Sequence, residues 1–285
     1  MKNRTIGDVT VSAIGLGGMP MSIEGRPDEA RSIATIHAAL DAGVTFIDTA
    51  DSYHLRADDV GHNEELIANA LASYGEDTSD VLVATKGGHL RPGDGSWTVN
   101  GSPDYLKQAA EASLKRLGGD ALGLYQFHRP DPAVPYAESV GALSDLLDAG
   151  TIRMAGISNA NPDQIRQAND ILGGRLVSVQ NQFSPRFRSS EPELRLCDEL
   201  GIPFLPWSPL GGIGAAGGLG AQHAAYAEIA AAHSVSPQQV CLAWLLSLSP
   251  HLVPIPGASR PDTIRDSAQA SELHLSNTEL TRLNG

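Results

Sequence analysis

The chain has 285 residues, of which 41% are hydrophobic, so it is long enough to form a domain with a sizeable core. The formal charge of −13 argues against non-specific binding to nucleic acids or anionic membranes, because their phosphates would be repelled. No apolar run is long enough to span a bilayer, and the first residues lack the apolar core of a signal peptide, so we expect a cytoplasmic protein. The only two cysteines, Cys197 and Cys241, are expected to be buried free thiols.

The predicted elements begin with a hairpin, because residues 5–11 alternate around the two-residue turn signal Gly7-Asp8. After it, short apolar runs alternate with segments whose apolar residues recur at helical spacing. The predicted strands are 13–16, 44–47, 81–84, 122–127, 152–157, 176–179, 202–205 and 252–255. The predicted helices are 27–42, 63–74, 103–117, 135–149, 162–172, 192–200, 224–232 and 237–248, with a helical tail over 260–284.

Strands that alternate with helices predict a parallel sheet. Eight such units in one chain of this length fit a closed (β/α)8 TIM barrel better than an open sheet. No linker or low-complexity segment divides the chain, so residues 1–285 are predicted to form a single α/β barrel domain with an N-terminal β-hairpin.

The carboxyl ends of barrel strands meet around one mouth, where active sites lie. Here nearly every strand ends in a polar or aromatic side chain: Asp48, Lys86, His128, Ser158, Asn159, Gln180 and Trp207. Each has an ordinary explanation by itself, since Asp48 could cap the following helix and His128 could be a hydrogen-bonded core histidine. Together, on one face, they favour an active site.

These strand ends stand in motifs that resemble the aldo-keto reductase superfamily. Asp48 and Tyr53 in DTADSY, Lys86 in VATK and His128 in YQFH are similar to its four active-site residues. GISN, QNQF, PWSPLGG and IPGASR follow in the family's order, and the matches run from about residue 5 to residue 270. The resemblance implies a (β/α)8 barrel that reduces an aldehyde or ketone to the alcohol with NADPH.

The reaction needs a hydride, which no amino acid can donate, so a nicotinamide is required in the mouth. Tyr53 can donate the proton that the developing alkoxide needs, and the ammonium of Lys86 is expected to lower the phenol's pKa. Asp48 would hold Lys86 by an ion pair, and uncharged His128 would orient the carbonyl oxygen. The resemblance implies the same four roles.

The resemblance also implies a cofactor site. Ser158, Asn159 and Gln180 would hold the nicotinamide carboxamide, and Trp207 would stack on the ring. The remaining cofactor-binding candidates are Ser208, Leu210 and Gly212 for the pyrophosphate, Gly257, Ser259 and Arg260 at the last strand end, and Asp266 near the adenine. Ser259 and Arg260 correspond to positions that bind the adenosine 2′-phosphate, and some relatives carry a basic residue at Gly257. The preference for NADP therefore rests mainly on Arg260.

The substrate pocket is predicted to be walled by His54, Trp97, Phe183 and Arg129. The nearest likeness is to pyridoxal and small aromatic aldehyde reductases. A cofactor-sensing regulatory subunit, like the potassium-channel β subunits that share this site, is the alternative function. No histidine set suits a metal, and we expect a monomer or weak homo-oligomer whose partner is a small carbonyl substrate.

Overall fold

The computed structural model describes residues 1–284. The chain begins with the predicted hairpin, in which β1 (Asn3–Ile6) pairs antiparallel with β2 (Val9–Ser12). Ile6 and Val11 are buried and pack against Phe46 and Leu82, among other inward side chains near the strand starts. The hairpin therefore closes the amino-terminal end of the structure that follows.

Six strands form one parallel sheet, in the order β3, β4, β5, β8, β9, β10. The bounds are β3 (Leu16–Gly17), β4 (Phe46–Asp48), β5 (Leu82–Gly87), β8 (Leu122–Phe127), β9 (Ile152–Ser158) and β10 (Leu176–Gln180). Between β5 and β8 the chain adds a small antiparallel hairpin of β6 (His89–Leu90) and β7 (Thr98–Val99). Neither of these two short strands is among those predicted from the sequence.

Two further extended segments, residues 203–207 and 252–256, complete the barrel. Phe204 bridges in parallel to both Val179 and Leu252, and Gly17 bridges to Gly257. The amide of Gly17 donates to the carbonyl of Pro256 at 3.0 Å. The predicted (β/α)8 barrel with an N-terminal hairpin is confirmed.

The predicted strands 202–205 and 252–255 are wrong in one respect, because isolated bridges replace a continuous ladder there. The physical reason is that these two segments contain prolines, and a proline lacks the N–H group that a ladder hydrogen bond needs. These prolines are Pro203, Pro206, Pro254 and Pro256.

The helices surround the barrel. Their bounds are α1 (Glu29–Asp41), α2 (His62–Ala72), α3 (Pro103–Leu117), α4 (Tyr136–Asp148), α5 (Pro162–Ile171), α6 (Glu191–Leu200), α7 (Leu219–Gln222), α8 (Ala224–His233), α9 (Pro237–Leu248), α10 (Pro261–Gln269) and α11 (Asn277–Asn284). The predicted helical tail is thus two helices with a short 3-10 turn between them. No helix within residues 1–284 combines the length and the apolar character that a membrane crossing needs.

Helix α3 illustrates how local sequence sets these bounds. Pro103 occupies its first turn, where a missing N–H costs nothing, and Gly118 ends it with a φ of 79°. Leu106 and Ala110, at helical spacing, are buried against the barrel.

The two cysteines, Cys197 and Cys241, are buried free thiols. Burial raises the pKa of the Cys197 thiol to about 12.

Candidate active site

The site arises from the two-residue alternation of the barrel strands. Along β5, Leu82 and Ala84 point into the barrel, and Lys86 follows with the same orientation at the strand's end. Thr85, one residue before it, instead bonds Glu64 of α2 on the outer side. The innermost layer is therefore apolar and the layer nearest the mouth is polar.

A cavity of about 1260 Å³ opens at this mouth. It exceeds the roughly 300–1,000 Å³ typical of a drug-sized ligand's pocket, so it has room for more than one small molecule. The sequence-predicted residues that line it are Asp48, Tyr53, Trp97, His128, Arg129, Ser158, Asn159, Gln180, Trp207, Ser208, Leu210, Gly212, Gly257, Ser259, Arg260 and Asp266.

Lys86 lies beneath the cavity floor and joins two of these groups. Its fully buried Nζ donates to Asp48 Oδ1 at 2.6 Å, to the carbonyl of Thr49 at 2.8 Å and to the Tyr53 hydroxyl at 3.1 Å. Burial pulls the pKa of Lys86 down, but Asp48 and Tyr53 outweigh it, and the net shift is upward. The ammonium is therefore charged at neutral pH and directed at the phenol oxygen.

Two glutamines support Asp48 from the other side. Gln180 Nε2 donates to Asp48 Oδ2 at 2.8 Å, and Gln126 Nε2 reaches the same oxygen at 3.4 Å. Ser178 in turn donates to Gln126 Oε1 at 3.2 Å. The sequence analysis missed Gln126, although a polar residue inside the apolar run LGLYQF was a usable signal.

Burial outweighs the effect of Lys86, which lowers the pKa of Tyr53 as expected, and the net shift is upward. Tyr53 is 7% exposed, and burial raises its pKa above the usual value because the phenolate loses its water. Lys86 lowers it, but only in part, and Asp48 adds to the rise. The phenol of Tyr53 is therefore protonated at neutral pH.

His128 stands beside Tyr53, with its ring edge-on at 5.8 Å between centroids. Burial holds the pKa of His128 well below its usual value, and the charges of Lys86 and Arg129, together with any proton on His89, lower it further. The imidazole is thus uncharged at neutral pH. A neutral imidazole keeps one N–H group that can donate a hydrogen bond.

His89 of the β6–β7 hairpin also lines the cavity, and the sequence analysis did not single it out. Its ring stacks on Trp97 at 4.7 Å and meets His128 edge-on at 4.9 Å. Burial lowers the pKa of His89 to about 4. Trp97, His89, His128 and Tyr53 thus form a continuous aromatic wall of uncharged rings.

Ser158, Asn159 and Gln180 form a network at the ends of β9 and β10. Ser158 Oγ donates to the Gln180 carbonyl at 2.7 Å, and Asn159 Nδ2 donates to the His128 carbonyl at 3.0 Å. Asn159 has a φ of 56°, and Ser208 across the cavity has a φ of 50°. Side chains other than glycine rarely adopt this conformation, and such outliers cluster at functional sites.

The far end of the cavity lies at the start of α10. Arg260 is the exposed residue at the N-cap position of that helix, beside Ser259. Asp266 also lines the cavity, but its carboxylate accepts from Ser236 Oγ and Gln239 Nε2, each at 2.6 Å. Asp266 therefore ties α9 to α10, in addition to facing the cavity.

Two predicted pocket residues lie elsewhere. His54 is buried away from the cavity, where its Nδ1 bonds the Arg56 carbonyl at 2.7 Å. Phe183 packs in the core between Phe204 and Trp244, at 6.2 Å from each ring. The prediction that they wall the pocket is wrong, since His54 follows Tyr53 directly and turns the other way, and Phe183 joins apolar neighbours.

The expectation that the protein binds no metal stays a prediction. Residues 1–284 contain no cluster of three or more histidine, cysteine, aspartate or glutamate side chains that could hold a metal ion.

Comparison with known proteins gives a consistent result. The model of the Aldo/keto reductase family matches residues 13–285. The chain is 35% identical over 272 residues to a 6-dehydroglucose reductase of Novosphingobium aromaticivorans, which covers 92% of this chain and 87% of the relative. It is 31% identical over 292 residues to a pyridoxine 4-dehydrogenase of Escherichia coli, covering 99% and 96% respectively. A crystal structure of an aldo/keto reductase from Klebsiella pneumoniae in complex with NADP and acetate has a TM-score of 0.83 at 28% identity, covering 99% of this chain and 94% of that chain.

Proposed function

Since this chain belongs to the aldo/keto reductase family and is an oxidoreductase, we propose that it reduces an aldehyde or ketone to the alcohol with NADPH. The observation that carries the proposal is the buried Lys86 ammonium, 3.1 Å from the hydroxyl of Tyr53 at the cavity floor. His128 lines the same end of the cavity. A proton donor and a hydrogen-bond donor thus converge where a carbonyl oxygen could bind.

The side chains present suit a nicotinamide dinucleotide. Among the hydrogen bonds of residues 1–284, the amide nitrogens of Asn159 and Gln180 are engaged, while their oxygens remain able to accept from a carboxamide. The indole of Trp207 offers a flat face at the cavity wall. Bound nicotinamide would supply the hydride that the protein lacks.

The protein's own contribution is the proton and its control. Tyr53 donates its hydroxyl proton to the carbonyl oxygen as negative charge develops there, and the ammonium of Lys86 stabilises the phenolate that remains. Asp48 keeps Lys86 charged and fixed. The N–H group of neutral His128 hydrogen-bonds the carbonyl oxygen and sets its orientation.

NADPH is preferred over NADH in this proposal because of Arg260. Within residues 1–284 the guanidinium forms no ion pair, and it stands at the amino end of α10, where the helix dipole also favours a phosphate. A guanidinium fork can bond two phosphate oxygens. The relative from Klebsiella pneumoniae, whose structure contains NADP, supports the same choice.

The substrate class that we propose is an aromatic aldehyde, including pyridoxal-like compounds. The wall of Tyr53, His89, Trp97 and His128 offers rings for stacking and edge contacts. Similarity to a pyridoxine 4-dehydrogenase supports this class. A single domain over residues 1–285, a cytoplasmic location and a monomeric or weakly associated state remain predictions from the sequence.

The test is a panel of aromatic and aliphatic aldehydes and ketones, each offered with NADPH and with NADH and followed at the nicotinamide absorbance. We expect turnover of aromatic aldehydes, with NADPH preferred. Turnover with NADH alone would refute the cofactor assignment. Tight NADPH binding without turnover of any carbonyl compound would refute the reductase and favour the cofactor-sensing regulatory subunit instead.

A further inference from the structure

Arg129 is a cation in the cavity lining that the proposed reaction does not use. It follows His128 directly, is half-buried and lines the cavity at the substrate end. His89 and His128 line the same cavity, and the positive charge of Arg129 contributes to the lowered pKa values of both imidazoles. Arg129 therefore faces the same space as the aromatic wall.

This guanidinium has no counter-ion among residues 1–284. It forms no ion pair and no side-chain hydrogen bond there, and its Nε is buried without a partner. Asp131, two residues further along the chain, accepts from the amides of Gly101 and Ala133, and Glu24, which also lines the cavity, pairs with Arg91. Asp48 is bonded to Lys86.

A partly buried cation without a partner is costly, and an anion supplied from outside relieves that cost. The planar guanidinium matches a carboxylate, which it can bind through two parallel hydrogen bonds. We infer that the substrate carries a carboxylate on its aromatic ring in addition to the carbonyl group, and that Arg129 binds this carboxylate. The inference rests on the proposed reductase function and narrows its substrate to carboxylated aromatic aldehydes.

The overall charge of −13 does not oppose this assignment. Exposed charges are screened beyond about 8–10 Å at physiological ionic strength, whereas contacts inside a partly buried cavity are screened much less. Near the aromatic wall, Lys86 is paired with Asp48, and Arg91, which lies over Trp97, is paired with Glu24, whereas Arg129 has no ion pair among residues 1–284.

The experiment compares substrates that differ only in charge. The kcat/KM values of 2-, 3- and 4-carboxybenzaldehyde are measured against those of the matching formylbenzamides, which are uncharged and of similar size. We expect at least one carboxylate isomer to be preferred roughly ten-fold to a hundred-fold, the range for a charge-assisted hydrogen bond. Equal values for the charged and uncharged partners of every pair would overturn the inference.

Variants assign the preference to the residue. Arg129→Met should abolish this preference, measured as the ratio of kcat/KM for each carboxylate to kcat/KM for its matching formylbenzamide, while Arg129→Lys should keep part of it. Arg153→Met is the matched control, because it removes the same charge from an exposed residue near the start of β9. A preference that survives in Arg129→Met, or that falls equally in Arg153→Met, would contradict the assignment.

A binding measurement separates this inference from the proposed function. Calorimetry with NADP⁺ present, which cannot donate a hydride, compares 4-carboxybenzaldehyde with 4-formylbenzamide on the wild type and on Arg129→Met. If no aldehyde is reduced, the reductase proposal fails, and this comparison still decides the role of Arg129. Charge-selective binding that is lost in Arg129→Met supports the inference, and binding without selectivity overturns it.

Discussion

Tyr53 is the residue whose protonation state matters most for the proposed reaction. Burial raises its pKa, and Lys86 counteracts this only in part. Carbonyl reduction needs the phenol in its protonated form before the hydride arrives. The raised pKa keeps Tyr53 protonated at neutral pH, so that it can donate the proton. The ammonium of Lys86 then acts mainly by stabilising the Tyr53 phenolate that forms when the proton leaves.

His89 gives a pH prediction for stability. Its pKa is about 4 in the folded protein, against roughly 6.5 in an unfolded chain. Between these values the unfolded chain binds more protons, so lowering the pH destabilises the fold, and above about pH 6.5 the effect disappears. In thermal melts, His89→Asn should lose less melting temperature between pH 7 and pH 5 than the wild type does.

The exposed His274 provides the control for that experiment. His274→Asn should leave the pH dependence of the melting temperature unchanged. If His89→Asn and the wild type lost stability in parallel on acidification, the assignment of a neutral, half-buried His89 would be incorrect.

Arg260 gives a prediction about cofactor choice. Arg260→Ala should weaken NADPH binding roughly ten-fold to a hundred-fold, because charge-assisted bonds are worth about 1.5–3 kcal/mol, and should change NADH binding little. Dissociation constants from tryptophan fluorescence measure both effects. Arg265→Ala is the matched control, since Arg265 lies on the same helix and pairs with Asp262 at 3.4 Å. Equal losses for the two cofactors would contradict the assignment of Arg260.

The sequence predicted the strand-end residues well because each follows an apolar run at a recognisable point. Asp48, Lys86 and His128 needed only the rule that strand ends meet at one mouth. His54 could not be placed in this way, since it lies in the turn after β4, where side-chain direction has no fixed period. The unpaired state of Arg129 was also beyond the sequence, because it depends on which partners Asp131 and Glu24 take in space.

At the scale of elements, the β6–β7 hairpin shapes the substrate end of the cavity. Arg91 fixes it, since its guanidinium bonds the His54 carbonyl, pairs with Glu24 and lies 4.9 Å over the ring of Trp97. The sequence missed this hairpin because two-residue strands in a Gly-rich segment leave no periodic pattern. Its order comes from Arg91, whose contacts are far apart along the chain.

The hairpin gives a prediction about specificity. Arg91→Met should release Trp97 and raise KM for aromatic aldehydes by about ten-fold, in line with the roughly 1–2 kcal/mol of a cation–π contact and its neighbouring bonds. NADPH affinity should stay unchanged, because the hairpin carries none of the proposed cofactor-binding residues. Amide hydrogen exchange over residues 87–101 should speed up in the variant. An unchanged KM together with unchanged exchange would show that Arg91 does not hold the hairpin.

In the molecule as a whole, the barrel closes where β3 meets the extended segment 252–256. Gly17 permits the approach, because a Cβ there would lie 2.9 Å from the Ile255 carbonyl oxygen. The eight alternating strand–helix units of the sequence predicted a closed barrel. The irregular pairing of segments 203–207 and 252–256 was not predicted, since their bridges depend on partners distant in the chain. Closure is therefore a tertiary property that local patterns only suggest.

Gly17→Ala should destabilise the protein by roughly 1–3 kcal/mol in urea unfolding, the usual cost of forcing an atom into a packed backbone contact. Gly141→Ala is the matched control within α4, where a Cβ would meet no atom within 4 Å. That change should stabilise the protein by about 0.5–1 kcal/mol, because alanine favours the helix interior. If Gly17→Ala were as stable as the wild type, close contact at this seam would not be required for closure.

The most direct test of the proposed function is the rate of aldehyde reduction by Tyr53→Phe, measured together with NADPH affinity. We expect turnover to fall by roughly 10²–10⁴-fold, the usual contribution of general acid catalysis, while NADPH binds as it does to the wild type. Tyr136→Phe is the control, because it removes a buried hydroxyl that has no partner among residues 1–284, and it should keep full activity. A Tyr53→Phe enzyme that retained most of its turnover would contradict the assignment of Tyr53 as the proton donor.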